Sequence, residues 1–425
     1  MEAVLIIIFV LGYLAIALEH VIHINKTATA ILLAVVLWTI MSVHGYTVGS
    51  VYFDSHQIIE QLGEHLIGIS QIIFFLLGAM TIVQLIDSHN GFRIVTDFIK
   101  TKDKRTLLWV ISFITFFLSS ILDNLTTTIV MVSLIYKLLS KREDLLIFAS
   151  MIVIAANAGG AWTPIGDVTT TMLWIGGCIS TGKIMTGLFI PSMVCMLVPL
   201  SYFSFFMEKE NVSTLSAGKN EEGILGAKRV FYVGVGALIF VPIFRALTGL
   251  PPFMGIILGV GAMWVMTDLM HHKREHLRIP HILSKVDITS VLFFLGILLA
   301  VGALETAGIL KNFEIWLDQN FKNKDLIVTA LGLLSAIVDN VPLTAAAMGM
   351  YDLSQFPMDH KLWELLAYSV GTGGSVLIIG SAAGVVAMGI AKINFIWYMK
   401  RVSFPALLGY FAGIISYLVI YNIVH

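Results

Sequence analysis

The sequence predicts an all-α polytopic membrane protein of two inverted repeats, each with about five transmembrane helices, one of them broken, plus one re-entrant hairpin. Three observations lead there. Of the 425 residues, 57% are hydrophobic and 12% charged, where a water-soluble domain carries about 25% charged residues. Apolar runs recur that exceed the roughly 18 residues marking a membrane span. Four segments of the first half also reappear, in the same order, in the second half.

Crossings are expected near 2–24, 27–43, 64–87, 144–176, 184–206, 230–248, 252–270, 287–308, 362–391 and 402–424. The first follows Met1 and Glu2 without a basic leader or a clear cleavage site, so it reads as a retained helix. Two further apolar stretches, 107–136 and 326–351, run differently. Lys100, Lys102, Lys104 and Arg105 precede the first of them, and Lys137, Lys141 and Arg142 follow it. Lys and Arg accumulate on the cytoplasmic side, so both ends of that stretch belong there and it enters and leaves on one face. A turn at membrane depth requires protein or a water-filled cavity around it. This topology puts most of the 26 Lys and Arg residues in cytoplasmic segments and both termini outside. The polar segment 207–229 then reads as a cytoplasmic linker between a first repeat, 1–206, and a second, 230–425, whose hairpin enters from outside.

The repeat itself is visible in the letters. FFLLGAMTIVQLID, ending at Asp87, resembles FFLGILLAVGALE, ending at Glu305, and ILLAVVLW (31–38) resembles IILGVGAMW (256–264). SSILDNLTTT (119–128) resembles SAIVDNVPLT (335–344), and NAGGAWTPIGDVT (157–169) resembles GTGGSVLIIGSAA (371–383). Five crossings and a hairpin per half start the second half on the opposite face. Inverted repeats of this kind mark secondary transporters, whose sites lie near the midplane where helices break.

Two Asp-Asn pairs, Asp123-Asn124 and Asp339-Asn340, fall at the expected hairpin tips. A charged residue at the bilayer centre costs at least about 2.5–3.5 kcal/mol, so an intramembrane carboxylate is a functional candidate by default. Capping of a half-helix is the plainer reading of each Asp, and it is compatible with ion binding. Ser119 and Thr126 in the first half, and Ser335 and Thr344 in the second, add hydroxyl oxygens of the kind that hard cations prefer. Paired glycines and Pro164 break the crossing that holds Asn157, Thr163 and Asp167, freeing backbone groups toward a site. Asp167 has no acidic counterpart in the second half, which makes it a candidate proton- or cation-binding acid, with a polar cap as the alternative.

Other acids weigh less. Asp87 and Glu305 sit at equivalent helix ends, Glu64, His65 and Glu364 are expected in first turns, and Asp54, His56 and Glu60 in an outer loop. Glu19, His20 and His23 are candidates for a proton relay or sensor, because histidine titrates near neutral pH. The His-rich segment 271–281 satisfies the charge bias without further purpose. Cys178 and Cys195 lie in apolar surroundings with no metal-ligand spacing. A net charge of −1 offers no basic face for nucleic acid, and no organic cofactor motif occurs. The sequence places no Lys or Arg inside the proposed core. The expected cargo is therefore a cation, or a neutral species coupled to one.

Through LDNLTTTIVM, NAGGAWTPIGDVTTTMLW, VDNVPLTAAAMGMY and EHVIHINKTATAILLAVVLW, the chain resembles the ion transporter superfamily and, within it, the NhaD-type sodium/proton antiporters, over nearly its whole length. The resemblance implies a scaffold and a transport domain, a homodimer in a lipid bilayer, elevator-like alternating access and a bacterial cytoplasmic membrane. In carboxylate-carrying relatives the hairpin tip reads Ser-Asn-Thr; here Asp123 and Asp339 take the serine place. The resemblance further implies Na⁺ at Asp123, Asn124, Asp339 and Asn340, with Ser119 and Ser335 nearby. Na⁺ or Li⁺ and H⁺ are then the transported ions, competing for Asp123, Asp339 and Asp167, and no cofactor is implied. The alternatives are an arsenite-type or organic-anion permease on the same fold, a passive channel and, remotely, an intramembrane aspartyl enzyme.

Overall fold

A backbone in hydrocarbon must satisfy its own N–H and C=O groups, and the apolar stretches of this chain do so as α-helices. The computed structural model describes residues 1–48, 51–96, 101, 103–207, 226–271, 277–321 and 323–424. Most of the linker expected at 207–229, part of the His-rich segment, and Lys100 and Lys102 lie outside the described residues, as do the side chains of His20 and Lys137.

The chain opens with α1 (Glu2–Ala17), α2 (Glu19–Ile22) and α3 (Lys26–His44). A short antiparallel ribbon of β1 (Tyr46–Val48) and β2 (Val51–Phe53), with Tyr46 opposite Phe53, leads to α4 (Ser55–Ser88) and α5 (Arg93–Thr96). Next come α6 (Lys104–Leu122), α7 (Asn124–Leu138), α8 (Arg142–Gly160), α9 (Val168–Ile175) and α10 (Thr181–Phe206). The second half holds α11 (Ala227–Thr248), α12 (Pro252–Met270), α13 (Ile279–Leu283), α14 (Ile288–Thr306) and α15 (Ile309–Asn320). It continues with α16 (Lys324–Leu334), α17 (Asn340–Met350), α18 (Lys361–Gly373), α19 (Ala382–Ala391), α20 (Phe395–Arg401) and α21 (Ser403–Val424).

Among the described residues nine helices are long and apolar enough to cross a membrane, or ten if the bent pair α19 and α20 is one span. The protein is an integral, multi-pass membrane protein. Burial sorts the helices: α11 and α12 are 28% buried along their most apolar window and suit a lipid-facing position, whereas α8 is 89% buried and forms the centre. Around it α6 packs on α8, α16 on α18, α3 on α14, and α10 on α21.

Several expectations are corrected. The first apolar run does not continue to residue 24; α1 ends at Ala17, α2 is a single turn, and His23 takes a left-handed φ of 56°. At 16 residues α1 spans about 24 Å, short of a roughly 30 Å hydrocarbon core. Helix α4 begins at Ser55, not near 64, because Asp54 and Gln57 form a capping box there. His56 and Glu60 are therefore helical rather than in a loop, and Glu64 and His65 lie in the helix interior, where His65 Nε2 meets Thr306 Oγ1 at 3.0 Å.

The two glycine-rich segments break their helices as expected, α8 from α9 and α18 from α19. The stretches 107–136 and 326–351 each comprise two helices meeting at an Asp, α6 with α7 at Asp123 and α16 with α17 near Asp339. Corresponding contacts recur in the two halves. Ser119 Oγ donates to the carbonyl of Ala156 at 2.6 Å, and Ser335 Oγ to that of Val370 at 2.9 Å. A Cβ on Gly159 would fall 2.1 Å from the Phe116 oxygen, and one on Gly373 1.9 Å from the Gly332 oxygen. In each half glycine lets a broken helix and an Asp-centred helix pair touch backbone to backbone.

Gly159→Ala and Gly373→Ala should each destabilise the protein by about 1–3 kcal/mol, because the obstructing atoms are backbone. Gly63→Ala, where a Cβ meets nothing within 4 Å, should stay within about 0.5 kcal/mol of the parent or gain slightly. Thermal unfolding in detergent, followed by tryptophan fluorescence, measures both.

Candidate functional site

The site is assembled from helix ends. Asp123 is both the last cap of α6 and the first cap of α7, with φ 83° and ψ 160°. That backbone region is almost exclusive to glycine and costs about 1–3 kcal/mol in any other residue. The side chain offsets part of the cost by capping α7: Oδ1 accepts from the Thr126 amide at 2.8 Å and Oδ2 from Thr126 Oγ1 at 2.9 Å. Asp339 caps α17 from a relaxed backbone, φ −50°, with Oδ1 accepting from the Val341 amide at 3.3 Å.

Asp167 lies between the two pairs and is 1% exposed. Its Oδ1 caps α9, accepting from Thr169 N at 2.9 Å and Thr169 Oγ1 at 3.0 Å. Its Oδ2 accepts from Asn124 Nδ2 at 2.7 Å, and Asn340 Nδ2 lies 3.4 Å from both oxygens. Asn124 also donates to Asn157 Oδ1 at 3.0 Å, while Asn157 Nδ2 donates to Ser375 Oγ at 2.8 Å and Ser381 Oγ at 2.9 Å. One network thus joins α7, α8, α9, α17 and the break before α19. Ser381 caps α19 as Asp167 caps α9, so the carboxylate occupies a cap that in the other half is a hydroxyl.

A cavity of about 60 Å³ opens onto this network, lined by Asp123, Asn124, Thr126, Asp167, Asp339 and Asn340 among others. It has room for a few waters or a small hydrated ion, whereas pockets for organic ligands run to about 300–1,000 Å³. Three carboxylates border it, yet among the described residues no three His, Cys, Asp or Glu side chains converge closely enough to chelate a metal ion. The lining thus offers carboxylate, amide and hydroxyl oxygens, the donor types that hard cations take, without a three-acid cage.

The remaining candidates divide. Ser119 and Ser335 face neighbouring carbonyls, as above. Thr163 Oγ1 donates to the Ser120 carbonyl at 2.7 Å and Thr344 Oγ1 to that of Asn340 at 3.1 Å, so both hydroxyls hold the site's walls together. Glu19 Oε1 accepts from the backbone N–H of Lys26 at 3.2 Å, and His23 is an exposed turn residue away from the cavity lining. The side chain of His20 lies outside the described residues.

One expectation fails at the centre. The sequence suggests a core free of Lys and Arg, but Lys26 Nζ lies 3.2 Å from Asp339 Oδ2. Read along the chain, Lys26 is a loop charge satisfying the cytoplasmic bias; the fold brings it 313 positions across the sequence to the second Asp-Asn pair. Its position as the first residue of a helix that packs on α14 is the only local signal.

The family model for citrate transporters, CitMHS, matches residues 6–364. "Sodium/proton antiporter 1" of Arabidopsis thaliana is 50% identical over 99% of this chain and 73% of the relative. "Na(+)/H(+) antiporter NhaD" of Alkalimonas amylolytica is 30% identical over 98% of this chain and 90% of the relative. Among solved structures, the YdaH transporter of Alcanivorax borkumensis superposes with a TM-score of 0.58 at 10% identity, over 93% of this chain and 98% of that one, a shared fold.

Asp167→Ala removes the α9 cap and strands two buried amides, so it should cost about 2–4 kcal/mol in total. Asp167→Asn keeps the cap and should lose clearly less. Thermal midpoints of the two purified variants, compared with the parent, decide.

Proposed function

The chain belongs to the citrate transporter family and, within it, to the NhaD-type sodium/proton antiporters, and we propose that it exchanges Na⁺ or Li⁺ for H⁺ by alternating access. It is a transporter and not an enzyme. The observation that carries the proposal is the Asp167 carboxylate, buried and bonded to the asparagine of each Asp-Asn pair, beside a cavity that Asp123 and Asp339 also line.

A buried carboxylate is discharged either by a proton or by a metal cation, and an uncompensated charge there costs several kcal/mol. Proton and cation therefore compete for the same oxygens. The amides of Asn124 and Asn340 donate to Asp167. A cation at Asp167 repels those N–H groups, so the amides turn to present oxygen instead. Such a turn couples occupancy to both helix pairs at once, and pairs entering from opposite faces would let the site open to one side and then the other. The elevator motion, the homodimer and the bacterial cytoplasmic membrane belong to the same proposal; the relatives come from a plant as well as from bacteria.

The family's name raises citrate as a competing cargo. A citrate trianion would meet three carboxylates, one of them paired with an ammonium, at a cavity of about 60 Å³, which opposes it by charge and by size.

In proteoliposomes, external Na⁺ or Li⁺ should drive proton release, and K⁺ and citrate should not. Asp123→Asn, Asp167→Asn and Asp339→Asn should each lower the rate at subsaturating Na⁺ by at least about tenfold, or 1.4 kcal/mol. Full exchange in all three variants would remove these carboxylates from the mechanism.

A further inference from the structure

The two Asp-Asn pairs differ in a way that the pseudo-repeat does not anticipate. Asp123 directs both carboxylate oxygens to Thr126, and among the described residues no ion pair forms at it. Asp339 uses only Oδ1 for its helix, while Oδ2 faces the Lys26 ammonium at 3.2 Å. The two side chains are 28% and 17% exposed, so the pair is largely withdrawn from water. The ammonium also lies 4.4 Å from the centre of the Phe293 ring, a second favourable seat for a cation.

The backbone beneath this lysine is pinned. Asn25 caps α3 by accepting from Thr27 N at 2.8 Å, Glu19 Oε1 accepts from Lys26 N, and Thr27 Oγ1 donates to the Thr289 carbonyl of α14 at 3.0 Å. The charge itself sits at the end of a flexible four-carbon stem. It can leave Asp339 Oδ2 without moving α3, and the Phe293 ring remains beside it.

We propose that Lys26 is a tethered competitor for the transported cation at Asp339. A metal ion reaching that carboxylate must displace the ammonium, and when the ion departs the ammonium returns. The second pair is thereby held to weaker, more readily reversed binding than the three carboxylates alone would give, and its charge is neutralised when no ion is bound. Lys26 acts as a positioning and affinity-setting residue; it touches the cation's ligand and not the cation.

This inference rests on the antiport reading, and the experiment separates the two. Na⁺-driven proton release in proteoliposomes is measured against Na⁺ concentration for the parent, Lys26→Gln, Lys26→Met and Lys26→Arg, with ²²Na⁺ binding to the purified proteins alongside. Lys26→Met keeps an apolar stem against Phe293 should the glutamine variant fold poorly. Loss of the competitor should lower the half-saturating Na⁺ concentration by roughly tenfold in both neutral variants, which corresponds to about 1.4 kcal/mol, whereas Lys26→Arg should stay near the parent. In an Asp339→Asn background Lys26→Gln should leave the half-saturating Na⁺ concentration unchanged, because the carboxylate that Lys26 pairs with is gone. An unchanged or raised half-saturation in the neutral variants, with parental exchange intact, overturns the proposal and leaves Lys26 a structural tie. A parent that releases no protons on Na⁺ addition overturns the antiport reading, and this inference with it.

Discussion

A carboxylate inside a membrane protein must be satisfied by what surrounds it, and Asp167 is the place where this constraint is tightest. It is 1% exposed, and its oxygens take the Thr169 amide and hydroxyl and the amide group of Asn124, with Asn340 just beyond. Each of these donors is available only because a helix has been interrupted. The break after Gly160 exposes the N–H groups at the start of α9, and the interruptions at Asp123 and before Asn340 place the two asparagines at helix starts. Uninterrupted helices would have consumed those backbone donors internally and carried the asparagines past the centre. Broken helices and buried acid therefore require each other.

The same constraint explains why similar halves need not be equivalent. Asp123 sits in a glycine-like backbone conformation and is held there by its own capping of α7. Asp339 follows a turn from Ser335, keeps an ordinary backbone, and has an oxygen left over that takes Lys26. Strain is stored on one side and an ion pair on the other. Two sequences that look nearly interchangeable, SSILDNLTTT and SAIVDNVPLT, thus give carboxylates with different partners.

Much of this was legible from the letters because its causes are local. Paired glycines with Pro164, or paired glycines followed by Gly380, break a helix wherever they fall, and Asp or Ser at the end of such a break caps the next helix. Asn157, Asn124, Asn340 and Asp167 were identified as polar residues that an apolar segment would not carry idly, and the structure brings them together. The failures have non-local or end-effect causes. Lys26 reads as a loop charge until α3 packs on α14 and aims it at Asp339. Hydropathy follows only the apolar part of α4, while the Asp54 capping box sets its true beginning earlier. Ser119 and Ser335 have the type and place of ion ligands, and the structure adds what no local pattern displays, that their hydroxyls donate to the carbonyls of Ala156 and Val370.

The geometry also bears on why an exchanger would scatter its acids. A tight three-carboxylate cage would hold a cation strongly, and strong holding opposes release on the far side. Here the acids border one cavity without converging, each carboxylate already has hydrogen-bonding company, and one of them has an ammonium. In the proposed exchange a cation arriving at these carboxylates would replace existing partners, so only the difference between old and new interactions would appear as affinity. A proton taken up by such a carboxylate would displace a donor from one of its oxygens. Two dissimilar ions could then compete for one set of oxygens, which is the condition that the proposed exchange requires.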